Sequence, residues 1–241
     1  MYNFTVNFAD LNIGITTYYE DTFNLCKQYL TEAEPDFSVK STEKKISEEV
    51  EMCKGIPSPA FAETTCIYRE IAERLPFYNR FIFHGAAISY KNMGFVFTAP
   101  SGTGKSTHIS LWRKYLGNGV EFVNGDKPII RITDNGATIY STPYAGKEGW
   151  QNYSSAPLKA VCIVNRGTVN KIEKIGFGAN LSEVIKQVYM PFDANATVKT
   201  LELINSLSKI PLYFLSCDMS EEAVKTSFEE MCGLSYDECK I

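Results

Sequence analysis

Hydrophobic and polar residues alternate at the start of the chain, and the period of this pattern changes several times in the residues that follow. Residues 2–9 alternate with a period of two, which predicts a strand. Asp21 is placed to cap a short helix through about residue 30, and residues 36–39 are again extended. The charged stretch over residues 44–54 is most simply a solvated helical face.

A longer amphipathic helix is predicted over residues 61–75. Ile67, Ile71 and Leu75 recur every four residues on one face, charged side chains occupy the other faces, and Pro76 ends the pattern. Together with the elements before it, this helix predicts a small α+β lobe over residues 1–77.

The pattern changes after Asn79 to that of an α/β domain over residues 78–241. Two apolar runs, 81–90 and 94–99, are separated by Lys91-Asn92, which suits a hairpin turn. The second run leads into a segment rich in glycine and serine, and then into a helix through about residue 116. Further strands are predicted at 120–123, 129–132, 138–140, 159–165, 171–175 and 212–215, and further helices around 181–188, 198–207 and 224–231.

Composition narrows the classes of protein without choosing a function. The 241 residues are 44% hydrophobic and 22% charged, which excludes a disordered, fibrous or small disulfide-stabilised protein. The net charge of -4 leaves no broad basic field for nucleic acid or for an anionic membrane surface. A phosphate-bearing ligand must therefore bind through a local group of residues.

Cysteine and histidine usage argues against disulfides and zinc. The seven cysteines are odd in number and form no CxxC pair, so reduced cytosolic thiols are expected. Only His84 and His108 supply imidazole, so a zinc site is not expected. The N-terminus lacks the basic segment of a signal peptide, and no apolar run approaches about 18 residues. We therefore expect a cytoplasmic protein without a membrane segment; a homo-oligomer is compatible with this sequence.

One segment carries a specific chemistry. Residues 99–106 match the Walker A pattern G-x-x-x-x-G-K-[ST], except that Ala99 replaces the first glycine. The two later glycines let successive backbone N–H groups turn inward around an anion, where a Cβ would obstruct them. The lysine supplies charge to the β- and γ-phosphates, and the serine hydroxyl is a ligand for Mg²⁺. The expected nucleotide-binding residues are Ser101, Gly102, Thr103, Gly104, Lys105, Ser106 and Thr107.

Phosphoryl transfer also needs a carboxylate that holds Mg²⁺ or accepts a proton. Asp126 is the best candidate, because it follows a short apolar strand about twenty residues after the loop. The alternative is a turn residue after Asn124-Gly125, a position where aspartate is common. Lys127 beside it either neutralises phosphate charge or faces solvent.

These motifs together resemble the HPr kinase and phosphoenolpyruvate carboxykinase group. In that group a hairpin carrying His-Gly, here at residues 83–88, precedes a Ser-Gly-x-Gly-Lys-Ser/Thr loop, here at 100–107. Residues 140–149, with Thr-Pro-x-x-Gly-Lys, and the strand at 210–215 resemble the small HPr-serine-kinase-like proteins of bacteria. The resemblance covers about residues 78–232. It implies an α/β P-loop domain with a mixed β-sheet, with ATP and Mg²⁺ as ligands.

The resemblance also implies roles for single residues. His84 would lie near the γ-phosphate and support the catalytic carboxylate or the transferred phosphoryl group; the alternative is a strand histidine packed under the sheet. His108 is expected to be structural. The family has an Asp-Asp pair where this chain has Gly125-Asp126 or Asp126-Lys127, so one carboxylate remains. The general base is then absent, or supplied by His84, Glu121 or the substrate.

The loop over residues 142–153 is expected to face the γ-phosphate. Lys147 is a candidate for contacting phosphate or an acceptor carboxylate, Glu148 is a second candidate acid or base, and Trp150 or Tyr144 is a candidate pocket wall. The alternative is an aromatic loop that covers a sheet edge. Arg166 either stabilises charge on the transferred group or forms an ordinary salt bridge.

The sequence therefore predicts an ATP-dependent kinase that phosphorylates a hydroxyl of a protein, peptide or small molecule. Asp126, His84 and Lys105 are the expected catalytic residues, with Ser106 and Asp126 at the metal. The alternative is a nucleotide-binding regulatory or assembly subunit without catalysis. A carboxykinase is disfavoured, because the chain is much shorter than those enzymes and lacks a second set of metal ligands.

Overall fold

The computed structural model of the protein describes residues 1–54 and 57–240. The N-terminal part of the chain forms a four-stranded sheet. Strands β1 (Tyr2–Phe8) and β2 (Leu11–Thr17) form an antiparallel hairpin, and β3 (Leu30–Thr31) and β4 (Phe37–Lys40) complete the order β3-β1-β2-β4. Ala9 and Asp10 both have positive φ, as a two-residue hairpin turn requires. The predicted first strand is thus confirmed, but it is one arm of a hairpin.

The helices of the N-terminal part are α1 (Asp21–Leu25), α2 (Glu43–Met52) and α3 (Pro59–Arg74). The long amphipathic helix is confirmed as α3, and it buries Ile67 and Ile71. Helix α1 is shorter than predicted, and Asp21 is its first residue while Glu20 occupies the N-cap.

The sequence predicts that the charged stretch of α2 is a solvated helical face, and this prediction is wrong for Glu49. Glu49 is buried and forms an ion pair with Arg69 of α3. Because a carboxylate is buried only when it is paired, this contact fixes α2 against α3.

The rest of the chain forms a nine-stranded mixed sheet with helices packed on it. The apolar run predicted over 81–90 is two strands, β5 (Arg80–Ile82) and β6 (Ala86–Tyr90), which separate at His84-Gly85. The turn at Lys91-Asn92 is confirmed, and both residues have positive φ. The remaining strands are β7 (Met93–Thr98), β8 (Val120–Asn124), β9 (Ile129–Thr133), β10 (Gly136–Tyr140), β11 (Ser155–Arg166), β12 (Lys171–Ile175) and β13 (Leu212–Cys217).

The strand order is β5-β9-β10-β11-β7-β6-β8, with β13 pairing both β11 and β12. Strands β7 and β13 run parallel to β11, whereas β10 is antiparallel to it, so the sheet is mixed as predicted. The helices of this part are α4 (Lys105–Leu116), α5 (Leu181–Ile185), α6 (Ala194–Leu207), α7 (Glu221–Cys232) and α8 (Tyr236–Cys239). Among the described residues, none of the helices combines the length and the apolar character that crossing a bilayer would need.

Three apolar clusters form the core. One lies under α4 and α7, and a second lies on the opposite face of the sheet under α6. The third belongs to the N-terminal sheet and α3, and it includes Ile82 of β5 and Ile129 of β9. The small lobe therefore packs directly onto the edge of the larger sheet.

His108 packs against Phe97 of the first cluster, as the sequence predicts for a structural histidine. Its ring is buried, and its Nε2 accepts a hydrogen bond of 3.1 Å from the Trp112 indole. Trp112 also donates to the Ser227 hydroxyl at 2.9 Å. Burial lowers the pKa of His108 from 6.5 to about 4, so the folded protein holds a neutral imidazole at neutral pH.

Acidification should therefore destabilise the fold through His108. The unfolded chain takes up a proton near pH 6.5 and the folded protein only near pH 4. The contribution of His108 to the free energy of unfolding is thus fully present above pH 6.5 and falls by on the order of 3 kcal/mol as the pH decreases to 4. Urea denaturation across this pH range should show a shallower decline for His108→Gln than for the wild type. Parallel profiles would contradict the assignment.

Candidate functional site

The glycine-rich loop joins the end of β7 to the start of α4. Gly102 and Gly104 have φ of +77° and +122°, values that residues with a Cβ rarely adopt. A Cβ at either position would have no atom within 4 Å, so the backbone conformation rather than a lack of space requires glycine here. Gly104 is the N-cap of α4 and offers no capping side chain, which leaves the first-turn amides for a ligand.

The side chain of Lys105 is buried and folds back across this loop. Its Nζ donates a hydrogen bond of 2.9 Å to the carbonyl of Ala99, the residue that replaces the first Walker A glycine. Burial lowers the pKa of Lys105; the nearby Asp126 carboxylate opposes this effect and Lys127 adds to it. The lysine and the candidate carboxylate are therefore electrostatic neighbours, although 21 positions separate them in the sequence.

Asp126 lies in a cluster with His84 and Lys127. Its Oδ1 is 3.4 Å from His84 Nε2, and its Oδ2 forms an ion pair with Lys127 Nζ. Burial alone raises the pKa of Asp126, but the hydrogen bonds from His84 and Lys127 outweigh it and hold the pKa at about 2. The carboxylate is therefore ionised throughout the physiological range, which suits binding a cation better than accepting a proton at equilibrium.

The turn that precedes this carboxylate is formed by another side chain. Asn124 Oδ1 accepts hydrogen bonds from the backbone amides of Asp126 and Lys127, at 2.9 Å and 2.6 Å. Its Nδ2 donates to Thr142, which links the turn to the loop over residues 142–153. Because Asn124 makes these contacts, the Asp126 side chain is available to the site.

His84 is held by Gln187, a residue that the sequence did not indicate. The His84 backbone N–H donates to the Gln187 carbonyl at 2.6 Å, and His84 Nδ1 lies 3.0 Å from Gln187 Oε1. This contact holds the ring so that Nε2 faces the Asp126 carboxylate. The His84 side chain is 34% exposed and is not packed under the sheet.

The loop over residues 142–153 contributes unevenly to the site. Tyr144 and Lys147 line the same cavity as His84 and Asp126. Trp150 stacks on Phe122 instead, with ring centroids 4.8 Å apart, and it is not part of the cavity wall. Glu148 is exposed at the rim, near Gly146 and Asp126.

Arg166 lies against the glycine-rich loop rather than the acceptor side. Its guanidinium donates to the carbonyls of Gly102 at 2.6 Å and Thr103 at 3.0 Å. It forms no salt bridge in the part of the chain that the structure describes, and its role in stabilising charge on the transferred group stays a prediction. The contacts hold the backbone of the loop from the end of β11.

Glu121, the other carboxylate considered as a base, is exposed near the start of β8. In the strand register it lies opposite Ser89 of the neighbouring strand β6. It takes no part in the cluster around Asp126. Ser106 is half-buried in the first turn of α4, next to Lys105.

Two cavities flank this arrangement. The larger has a volume of about 810 Å³ and is lined by His84, Asp126 and Lys127 together with residues of α3. The smaller, about 340 Å³, lies beside the glycine-rich loop and is lined in part by Thr103, Thr107 and Arg166. A ligand of two parts has room here, with one part in the smaller cavity beside the loop and the other in the larger cavity beside Asp126.

Comparison with known proteins finds matches among solved structures alone. No protein-family model and no curated protein sequence matches this chain. Among solved structures, the HPr(Ser) kinase/phosphatase from Coxiella burnetii aligns over 65% of this chain and 94% of its own, with 11% identity and a TM-score of 0.35.

Proposed function

We propose that this protein is an ATP-dependent kinase that transfers the γ-phosphoryl group of Mg-ATP to a hydroxyl. One observation carries the proposal: a glycine-rich loop with a buried lysine is brought beside an ionised carboxylate and a histidine at the wall of a large cavity. Phosphoryl transfer requires that combination of phosphate binding, charge and room for an acceptor.

The phosphates would bind at residues 101–107. The backbone amides at the N-terminus of α4 and the Lys105 ammonium attract them. The nucleoside would then occupy the smaller cavity, where Leu111, Val164 and Met219 supply apolar surface. Arg166 would maintain the loop in its binding conformation through its two carbonyl contacts.

Magnesium would enter with the nucleotide as part of the substrate. The described residues contain no group of three or more His, Cys, Asp or Glu side chains that would hold a metal by itself. Mg²⁺ commonly takes only one or two protein carboxylates and obtains its other ligands from phosphates and water. Asp126 and the Ser106 hydroxyl fit that limited role, and the low pKa of Asp126 keeps its oxygens free of protons.

The chain's own residues would act mainly by position and charge. Lys105 and Lys127 would neutralise negative charge on the transferred group, and Asp126 would orient the acceptor hydroxyl. His84, held by Gln187, fixes the rotamer of Asp126. In a loose transition state the acceptor hydroxyl keeps most of its proton until the new bond to phosphorus forms. A strongly basic residue is therefore not needed, and the low pKa of Asp126 is compatible with this role.

A nucleotide-binding subunit without catalysis is the second candidate. One observation favours it: the single carboxylate is already paired with Lys127 and His84, and no second carboxylate joins the described cluster. In that case nucleotide would bind at the same loop without transfer.

Phosphate transfer measured directly separates the two candidates. Purified protein, Mg-ATP and an extract of the source organism should yield ADP and a new phosphomonoester in ³¹P NMR spectra, and omission of the extract should prevent both. Tight ATP binding without any phosphomonoester would select the non-catalytic function. Failure to bind ATP would contradict both candidates.

A further inference from the structure

We infer that the phosphoryl acceptor is a small hydroxy carboxylic acid with an apolar or aromatic portion, bound in the larger cavity; the inference rests on the proposed kinase function. The cavity is lined by Phe61, Thr65 and Tyr68 of α3 together with His84 and Asp126. An acceptor hydroxyl must therefore enter a chamber built from both parts of the chain to reach the Asp126 carboxylate.

The size and walls of the cavity suit a small molecule. Its volume of about 810 Å³ falls in the range of roughly 300 to 1,000 Å³ that is usual for small-ligand sites. The rings of Tyr68 and Tyr144 pack edge to face, with centroids 4.5 Å apart, and Phe61 and Tyr189 extend this aromatic wall. Such a surface binds an apolar or aromatic group by burying it.

The charges of the lining select an anion. Arg69, Lys127, Lys147 and Lys186 line the cavity, against Asp126 as the one acidic lining residue. Arg69 is tied to buried Glu49, and Lys127 to Asp126. Lys147 forms no salt bridge to any described residue, and Lys186 pairs only with exposed Glu183, a contact that is weak in water. These two lysines are available for a carboxylate of the acceptor.

The transfer is balanced with ATP as the only second substrate. The acceptor hydroxyl oxygen forms a bond to the γ-phosphorus, and the bond from that phosphorus to the β–γ bridging oxygen breaks. The electron pair leaves on ADP, and the hydroxyl proton passes to solvent. The products are a phosphomonoester of the hydroxy acid and ADP.

Binding of three matched probes tests this inference. N-benzoyl-L-serine carries the aromatic group, hydroxyl and carboxylate; its methyl ester lacks the charge, and N-benzoyl-L-alanine lacks the hydroxyl. Calorimetry should show saturable binding of both acids and at least ~10-fold weaker binding of the ester. In the presence of Mg-ATP, only the serine acid should yield a phosphomonoester by ³¹P NMR.

Variants of the lining supply the controls. Lys147→Ala combined with Lys186→Ala should weaken binding of the serine acid to the level of its ester, and Thr65→Trp should obstruct the cavity. Lys174→Ala, an exposed lysine of β12, should change nothing. Thermal melting and ATP affinity, measured on each variant, verify folding and test the nucleotide site separately.

Three results would overturn the inference while ATP still binds. They are equal affinity for acid and ester, no binding of any of the probes, and phosphate transfer confined to proteins of the extract. Loss of ATP binding in the wild type would instead contradict the kinase proposal itself.

Discussion

Replacement of Asp126 by Asn is expected to reduce acceptor-dependent ADP release by about 10³-fold, with little change in ATP affinity. The carboxylate is ionised at neutral pH and lies among Lys105, Lys127 and His84. Asparagine has nearly the same shape but no charge, so the metal and the acceptor hydroxyl lose the anion that orients them.

Rate and affinity must be measured separately for this variant. Steady-state ADP release gives the first, and calorimetry with a non-hydrolysable ATP analogue gives the second, with and without Mg²⁺. Asp134→Asn, in the exposed turn between β9 and β10, is the matched control and should behave as the wild type. Equal turnover in Asp126→Asn and the wild type would remove Asp126 from the mechanism.

Replacement of Lys105 by Ala is expected to weaken ATP binding on the order of 100-fold, because a charge-assisted contact to phosphate contributes roughly 1.5 to 3 kcal/mol. The lysine is buried and bonds only to the carbonyl of Ala99 among the described residues. Its removal relieves the cost of burying a charge, so the melting temperature of the free protein should not fall appreciably.

Lys114→Ala is the matched control for this second variant. Lys114 lies on the same helix but is exposed, and its loss should leave ATP affinity unchanged. Calorimetric titration of ATP into both variants gives the comparison. Undiminished affinity in Lys105→Ala would show that the loop is not a nucleotide site.

Local elements were predictable because short-range pattern controls them. The four-residue spacing of Ile67, Ile71 and Leu75 predicts α3. Lys91-Asn92 predicts a tight turn because asparagine tolerates positive φ better than most residues. The mixed sheet followed from the family resemblance. Ends of elements were less accurate, as in α1, because the residues that terminate a short helix are chosen by packing.

The break at His84-Gly85 was not predictable from its apolar surroundings. Residues 81–90 read as one strand, yet β5 pairs with β9 and β6 pairs with β7 and β8. Gly85 lies close to the Val96 side chain and the Phe97 carbonyl, so a Cβ would not fit there without movement. The chain can therefore change partners at this point and expose the His84 side chain.

The candidate phosphate-binding segment could be recognised from sequence, because the loop, its two glycines, its lysine and the following helix lie within one short stretch of the chain. The residues that surround this segment come from distant parts of the chain, and folding brings them together. Gln187 meets His84 across 103 positions, and Arg166 meets Gly102 across 64. The propensities that determine helices and strands act over a few residues, whereas these contacts depend on how the strands and helices pack. The hydrophobic periodicity of the sequence therefore does not predict them.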